Sequence, residues 1–178
     1  MNPVSPILVN ATDLSEWANR LDSKAYLPDL VRRLVHSSLA KLDRIEFRAG
    51  EGVSISGFDG IVSTPSGSTY VPDGISVWEL GTNIKIKLKA DDDYSKRAAD
   101  SEGLDPASCT FVFVTPRRWG GKNKWSNSRR KEGIWRDVRV YDADDLEQWL
   151  YLTPNVYLFY SVVPGALCLM ATGTFFRR

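Results

Sequence analysis

Histidine and cysteine are nearly missing from this chain, with one of the first and two of the second among 178 residues. Cys109 and Cys168 stand far apart and lack the paired spacing of a zinc ligand set, which excludes a zinc site. Cys109 falls in a strongly apolar run and reads as a small core residue. The single histidine, His36, lies inside a helical pattern and reads as a helix-surface or partly buried residue, so any chemistry here must run on other groups. There is no repeat or low-complexity segment, and a formal net charge of +1 excludes a bulk polycation. Met1-Asn2-Pro3-Val4 has neither the basic nor the apolar region of a signal peptide. With so little cysteine, that makes a reduced, cytoplasmic setting the expectation. The apolar, charged and aromatic fractions are ordinary for a globular protein, and the length allows one domain with a sizeable core.

What the chain does have is a pair of carboxylates on what reads as a β-hairpin. Ile61, Val62, Tyr70, Val71, Ile75, Val77 and Trp78 are β-branched or aromatic, and Pro65-Ser66-Gly67 supplies turn chemistry between them. Asp59 interrupts one apolar strand and Glu79 ends the next. Carboxylates are rarely buried unless paired or bound to a cation. A shared Mg²⁺ explains two of them on neighbouring apolar strands; strand ends in open water explain them equally well. Lys85, Lys87 and Lys89 follow, then Asp93-Tyr94-Ser95-Lys96-Arg97, a run that reads as a loop leading into a helix. Thr110-Phe111-Val112-Phe113-Val114 is a buried strand, ending at Thr115-Pro116-Arg117-Arg118-Trp119.

This order of helix, strand, hairpin, helix and strand, with its acids and lysines, resembles the PD-(D/E)xK superfamily of restriction-endonuclease-like nucleases over roughly Leu27 to Leu150. The resemblance implies an α/β fold, an αβββαβ sandwich with a central mixed sheet flanked by helices. It also implies a Mg²⁺- or Mn²⁺-dependent endonuclease that cleaves DNA, with Asp59 and Glu79 as the metal-holding acids. The family places a lysine two positions after the second acid, where this chain has Gly81. Lys89 is the preferred substitute, ahead of Lys85 and Lys87. Pro72-Asp73 looks like the motif's opening letters but lies too close to Glu79, and reads as a decoy. Relatives of this kind often serve in bacterial defence against foreign DNA as one module of a larger chain, and double-strand cutting by such a single-site nuclease implies a homodimer. Two carboxylates can hold Mg²⁺ while leaving room for water and a phosphate oxygen, and a lysine can orient that water or offset charge in the transition state.

Charge is unevenly placed. Arg117, Arg118, Lys122, Lys124, Arg129, Arg130, Lys131 and Arg136 are opposed only by Glu132, and Trp119, Trp125 and Trp135 are interleaved with them. Gly120-Gly121 and Ser126-Asn127-Ser128 mark the segment as a loop. It is expected to grip DNA phosphates and stack on sugars or bases; the alternative is a solvated loop whose tryptophans fold back onto the core.

The remaining segments read as scaffold. Asp13 with Glu16 signals a first helix carrying Leu14, Trp17, Ala18 and Leu21, and Pro28 suits the first turn of a second, with Leu30, Val31, Leu34, Val35 and Leu39 as its stripe. Val138-Arg139-Val140-Tyr141 reads as a strand and Asp142 as the N-cap of the helix after it. A nuclease-like domain is therefore expected over residues 1–152, followed by an apolar tail over 153–178. Residues 156–176 carry no charge before Arg177-Arg178, which leaves open a membrane span, a final pair of core elements or oligomer contact, or an irregular remnant. Gly81 and the tail support two rivals to a nuclease: a non-cleaving nucleic-acid-binding or regulatory module that keeps the fold, and a membrane-tethered interaction protein.

Overall fold

Cys109–Val114 offers apolar side chains to both of its faces, the pattern of a strand covered on either side. In the computed structural model it forms β4, buried at every position. The structure describes residues 9–48 and 57–157, the last of these by backbone only, and the backbone of 160–163 and 166–169. β4 lies in a five-stranded mixed sheet ordered β1-β2-β3-β4-β5, with β1 Arg44–Phe47, β2 Gly60–Thr64, β3 Gly74–Leu80 and β5 Asp137–Tyr141. β1, β2 and β3 pair antiparallel, whereas β3, β4 and β5 run parallel. Each parallel step needs a crossover. These are α3 (Ile86–Ala99) and α4 (Lys122–Glu132).

The two faces of the sheet carry separate cores. Val62, Trp78, Val112 and Val114 pack with α1 (Ala11–Trp17), α2 (Ser23–Ser38) and α5 (Ala143–Leu152). Trp78, Tyr70, Tyr141 and Trp149 fill this side as an aromatic cluster. On the other face Val77, Phe111, Phe113 and Val138 meet Ala90 and Tyr94 of α3 and Trp125 of α4. The mixed sheet flanked by helices agrees with the expected α/β class.

Several boundaries differ from the sequence reading. α1 is capped by Asn10, whose side chain accepts from the Thr12 and Asp13 N–H groups while the Asp13 carboxylate takes the Asn10 N–H. The capping box thus lies upstream of the Asp13 and Glu16 signal. α2 begins at Ser23, so Pro28 is inside the helix and not in its first turn. Lys87 and Lys89 belong to the first turn of α3, which starts at Ile86.

The largest correction is the basic segment, expected as a loop. Its glycines mark the ends of α4: Gly121 is the N-cap and Gly133 the left-handed C-cap with φ 67°. Ser126 lies mid-helix, where its hydroxyl donates to the Asn123 carbonyl. Packing of Trp125 in the core overrides the weak helix propensity of Ser126-Asn127-Ser128. Asp142 does cap α5, in a reciprocal box with Asp145.

The tail contains α6 (Pro154–Tyr157) and an antiparallel pair, β6 (Tyr160–Val163) and β7 (Ala166–Leu169), in a sheet of its own. Two four-residue strands thus lie within the uncharged stretch, and among the described residues no helix is long and apolar enough to cross a membrane. The remainder of the tail, including Arg177-Arg178, lies outside the described residues.

Asp91 ties α3 to α4. It accepts from Lys87 Nζ at 2.5 Å, Trp125 Nε1 at 2.7 Å and Arg129 Nη2 at 2.6 Å. Burial is the largest single influence on this carboxyl and works upward, yet the three donors together draw its pKa down to about 2. An acid depressed in the folded state stabilises it above the unfolded value, and that contribution is lost as pH falls through the folded one. Asp91→Asn should therefore have a shallower acid limb than the wild type in denaturant midpoints measured from about pH 4 down to about pH 2. Parallel limbs would remove Asp91 from the acid response.

Candidate active site

The antiparallel register pairs Gly60 with Trp78. Continued by one residue, it sets Asp59 against Glu79, and cross-strand partners share a face of the sheet. Both acids line one cavity of about 740 Å³ at the carboxyl end of β3, between that strand, the start of α2 and α3. In open parallel sheets the crevice beyond the strand carboxyl ends is the usual ligand position. Asp59 is half-buried, and its Oδ2 accepts from the Leu80 N–H at 2.7 Å. Glu79 is only 2 % exposed, and its Oε1 accepts from Arg97 Nε. The second oxygen of each, Asp59 Oδ1 and Glu79 Oε2, has no partner among the described residues.

α3 supplies the other wall. Lys89, Asp93 and Arg97 recur every four residues and so share one side of the helix. Lys89 Nζ donates to Asp93 Oδ1 at 2.5 Å. Arg97 is 4 % exposed and lies 4.8 Å from the centroid of the Phe58 ring. Its guanidinium donates to Glu79, to the Gly57 carbonyl and to Glu102 Oε1 at 3.4 Å. One side chain thereby braces the strand bearing Glu79 and the segment leading to Asp59. Sequence reasoning missed Asp93 and Arg97 as site residues. The signal was the polar stripe at spacing four beside Ala90 and Tyr94, which face the core.

Glu79 is raised to about 8, foremost by burial and next by the charge of Asp59, with Arg97 pulling the other way. Asp93 is also raised, mainly by burial, against the pull of Lys89. Acids that repel one another in a dehydrated site favour a cation between them. Among the described residues, no three of histidine, cysteine, aspartate and glutamate form a metal-ligand group, so a cation held here draws on two carboxylates and water.

Gly81, two positions after Glu79, is buried. A Cβ built there would lie 3.0 Å from Lys89 Cγ and 3.1 Å from Phe113 Cζ. The Lys89 stem therefore runs across the space a residue-81 side chain would take. Lys85 and Lys87 are exposed, and Lys87 is held by Asp91. Asp73 lies at the far end of β3 from Glu79, exposed and 3.4 Å from Arg136.

Most of the basic cluster is engaged within the protein. Arg117 donates to the Thr82 and Ala18 carbonyls, Arg118 pairs with Asp144, and Lys122 with Asp142 and Asp145. Arg129 pairs with Asp91 and Glu132, and Arg130 with Asp137. Lys124 and Lys131 are exposed and have no ion-pair partner among the described residues. Trp125 and Trp135 are buried and Trp119 is half-buried, which fits tryptophans folded back onto the core. Comparison of the chain with known protein families, curated proteins and solved structures finds no match.

Proposed function

We propose that the protein is a metal-dependent nuclease that cleaves DNA by hydrolysis, with Asp59 and Glu79 holding Mg²⁺ or Mn²⁺. The observation that carries this reading is the pair of uncommitted oxygens, Asp59 Oδ1 and Glu79 Oε2, on adjacent strands lining one cavity. The donor set suits a small hard cation that keeps part of its water. Such an ion supplies charge neutralisation at the scissile phosphate. The succession α2, β1, β2, β3, α3, β4 has the order of the restriction-endonuclease-like αβββαβ core, and this supports the assignment. Lys89, with its stem over Gly81, is the substitute for the motif lysine.

A second reading, a non-cleaving DNA-binding module of the same fold, is favoured by one observation: Arg97 already neutralises one oxygen of Glu79. Incubation with plasmid and linear DNA in Mg²⁺ or Mn²⁺, with and without EDTA, separates the two. Cutting that EDTA abolishes is expected; metal-independent retention without cutting selects the second reading.

Since the arginines of the basic segment are largely neutralised, Lys124 and Lys131 are the members of that cluster left to meet phosphates. They stand on α4, which packs on the same face of the sheet as α3. Lys124→Glu combined with Lys131→Glu should weaken DNA retention by about tenfold and reduce the salt slope by about 2, since each phosphate contact releases roughly one counterion. Exposed substitutions of this kind shift stability by about 0.5 kcal/mol or less. An unchanged slope in a gel-shift series would place the backbone contacts elsewhere.

A further inference from the structure

Asp93 is a cavity acid left without a task by a two-carboxylate metal site. It is 7 % exposed, its Oδ1 receives Lys89 Nζ, and its Oδ2 is fully buried with no hydrogen-bond partner. A buried acceptor without a donor costs about 1–3 kcal/mol, and more when charged. The cavity wall offers it little relief. Asp59 and Glu79, the acids whose charges it feels, repel it when ionised, and neither is hydrogen-bonded to its Oδ2. Lys89 is already spent on the other oxygen, and Arg97 is directed to Glu79, Gly57 and Glu102.

No hydrogen bond reaches this oxygen among the described residues, and a group bound in the cavity can supply the donor. A direct bond to the cation does not fit, because the three acids do not gather into one ligand group among the described residues. A small hard cation bound through two carboxylates retains several waters, and their polarised O–H groups are strong donors. We propose that Asp93 is a water-holding residue of the site. Its Oδ2 accepts a hydrogen bond from a water of the cation held by Asp59 and Glu79, while its Oδ1 keeps the Lys89 ammonium beside that water. The carboxylate thereby sets the lysine and the water in one fixed relation. This role rests on the metal-dependent reading above.

The test uses the full chain and two readouts, Mn²⁺ binding followed by the loss of the free-ion electron paramagnetic signal, and cutting of linear DNA. Asp93→Asn puts an amide in place of the carboxylate and still offers Lys89 an acceptor. It should bind Mn²⁺ at unchanged stoichiometry with about tenfold weaker affinity, and cut about a hundredfold more slowly, with the loss in kcat and not in KM. Asp93→Ala should move both quantities in the same direction, and thermal melts check that each variant is folded. Should Asp93→Asn match the wild type in both readouts, the inference fails and the reading of the site stands. Should it abolish Mn²⁺ binding, as Asp59→Asn is expected to, Asp93 is a direct ligand and the water-holding role is wrong. A wild-type chain that binds no Mn²⁺ removes the reading and the inference together.

Discussion

Asp59→Asn is expected to lower DNA cutting by roughly a thousandfold while changing DNA retention by less than about twofold. A metal ion that stabilises charge at the scissile phosphate supplies several kcal/mol in the transition state, and each tenfold in rate is about 1.4 kcal/mol. The substitution removes a charged ligand and little else. The asparagine oxygen can still accept from the Leu80 N–H, so the geometry at the end of β3 is kept and stability should move by less than about 1 kcal/mol. Glu79 is a harder position to test. Its carboxylate is buried against Arg97, and Glu79→Ala would leave that buried guanidinium with only the 3.4 Å contact to Glu102 as counter-charge, at a cost of up to about 3–5 kcal/mol. A loss of cutting there would mix unfolding with chemistry. Single-turnover cleavage beside a gel shift at fixed salt makes the comparison for Asp59. Retention of more than a tenth of the wild-type rate by Asp59→Asn would show that the acid pair does not hold the metal.

How much could be read from the chain alone depends on how local each signal is. β4 announced itself because Cys109–Val114 is apolar on both faces, and α5 because Asp142 and Asp145 cap it within four residues. The pairing of Asp59 with Glu79 was legible because a hairpin converts sequence alternation directly into register. The basic segment misled for the opposite reason. Local counting finds one acid against its many cations, but the counter-charges Asp91, Asp137, Asp142, Asp144 and Asp145 come from other elements. Its helix was hidden as well, since Ser126-Asn127-Ser128 has the composition of a turn and only the burial of Trp125 decides otherwise. Arg97 was overlooked because its partners Gly57 and Glu79 lie many residues upstream, and no local pattern announces a buried guanidinium.

Lys89→Ala is expected to slow cutting by about a hundredfold to a thousandfold, the usual loss when one preorganised charge is taken from a transition state. Loss of rate alone does not show that Lys89 stands in for the motif lysine, since Asp93 would also lose its partner. The geometry at Gly81 supplies a sharper comparison. Residues 79 and 81 are two apart, so a side chain at 81 projects toward the face that carries Glu79. In the wild type that space is blocked by Lys89 Cγ at 3.0 Å and the Phe113 ring at 3.1 Å. Gly81→Lys alone should therefore destabilise the protein by overpacking, by about 1–3 kcal/mol. In a Lys89→Ala background the aliphatic stem is gone, and a lysine at 81 needs only a few tenths of an ångström from Phe113. The double variant should then be more stable than Gly81→Lys and cut at least tenfold faster than Lys89→Ala. Stabilities and rates measured on all four proteins close a double-mutant cycle, which isolates the coupling between the two positions. Additive effects in both quantities would mean that positions 81 and 89 do not exchange a single role, and the substitute would have to be sought among the other lysines of the cavity, Lys24 and Lys96.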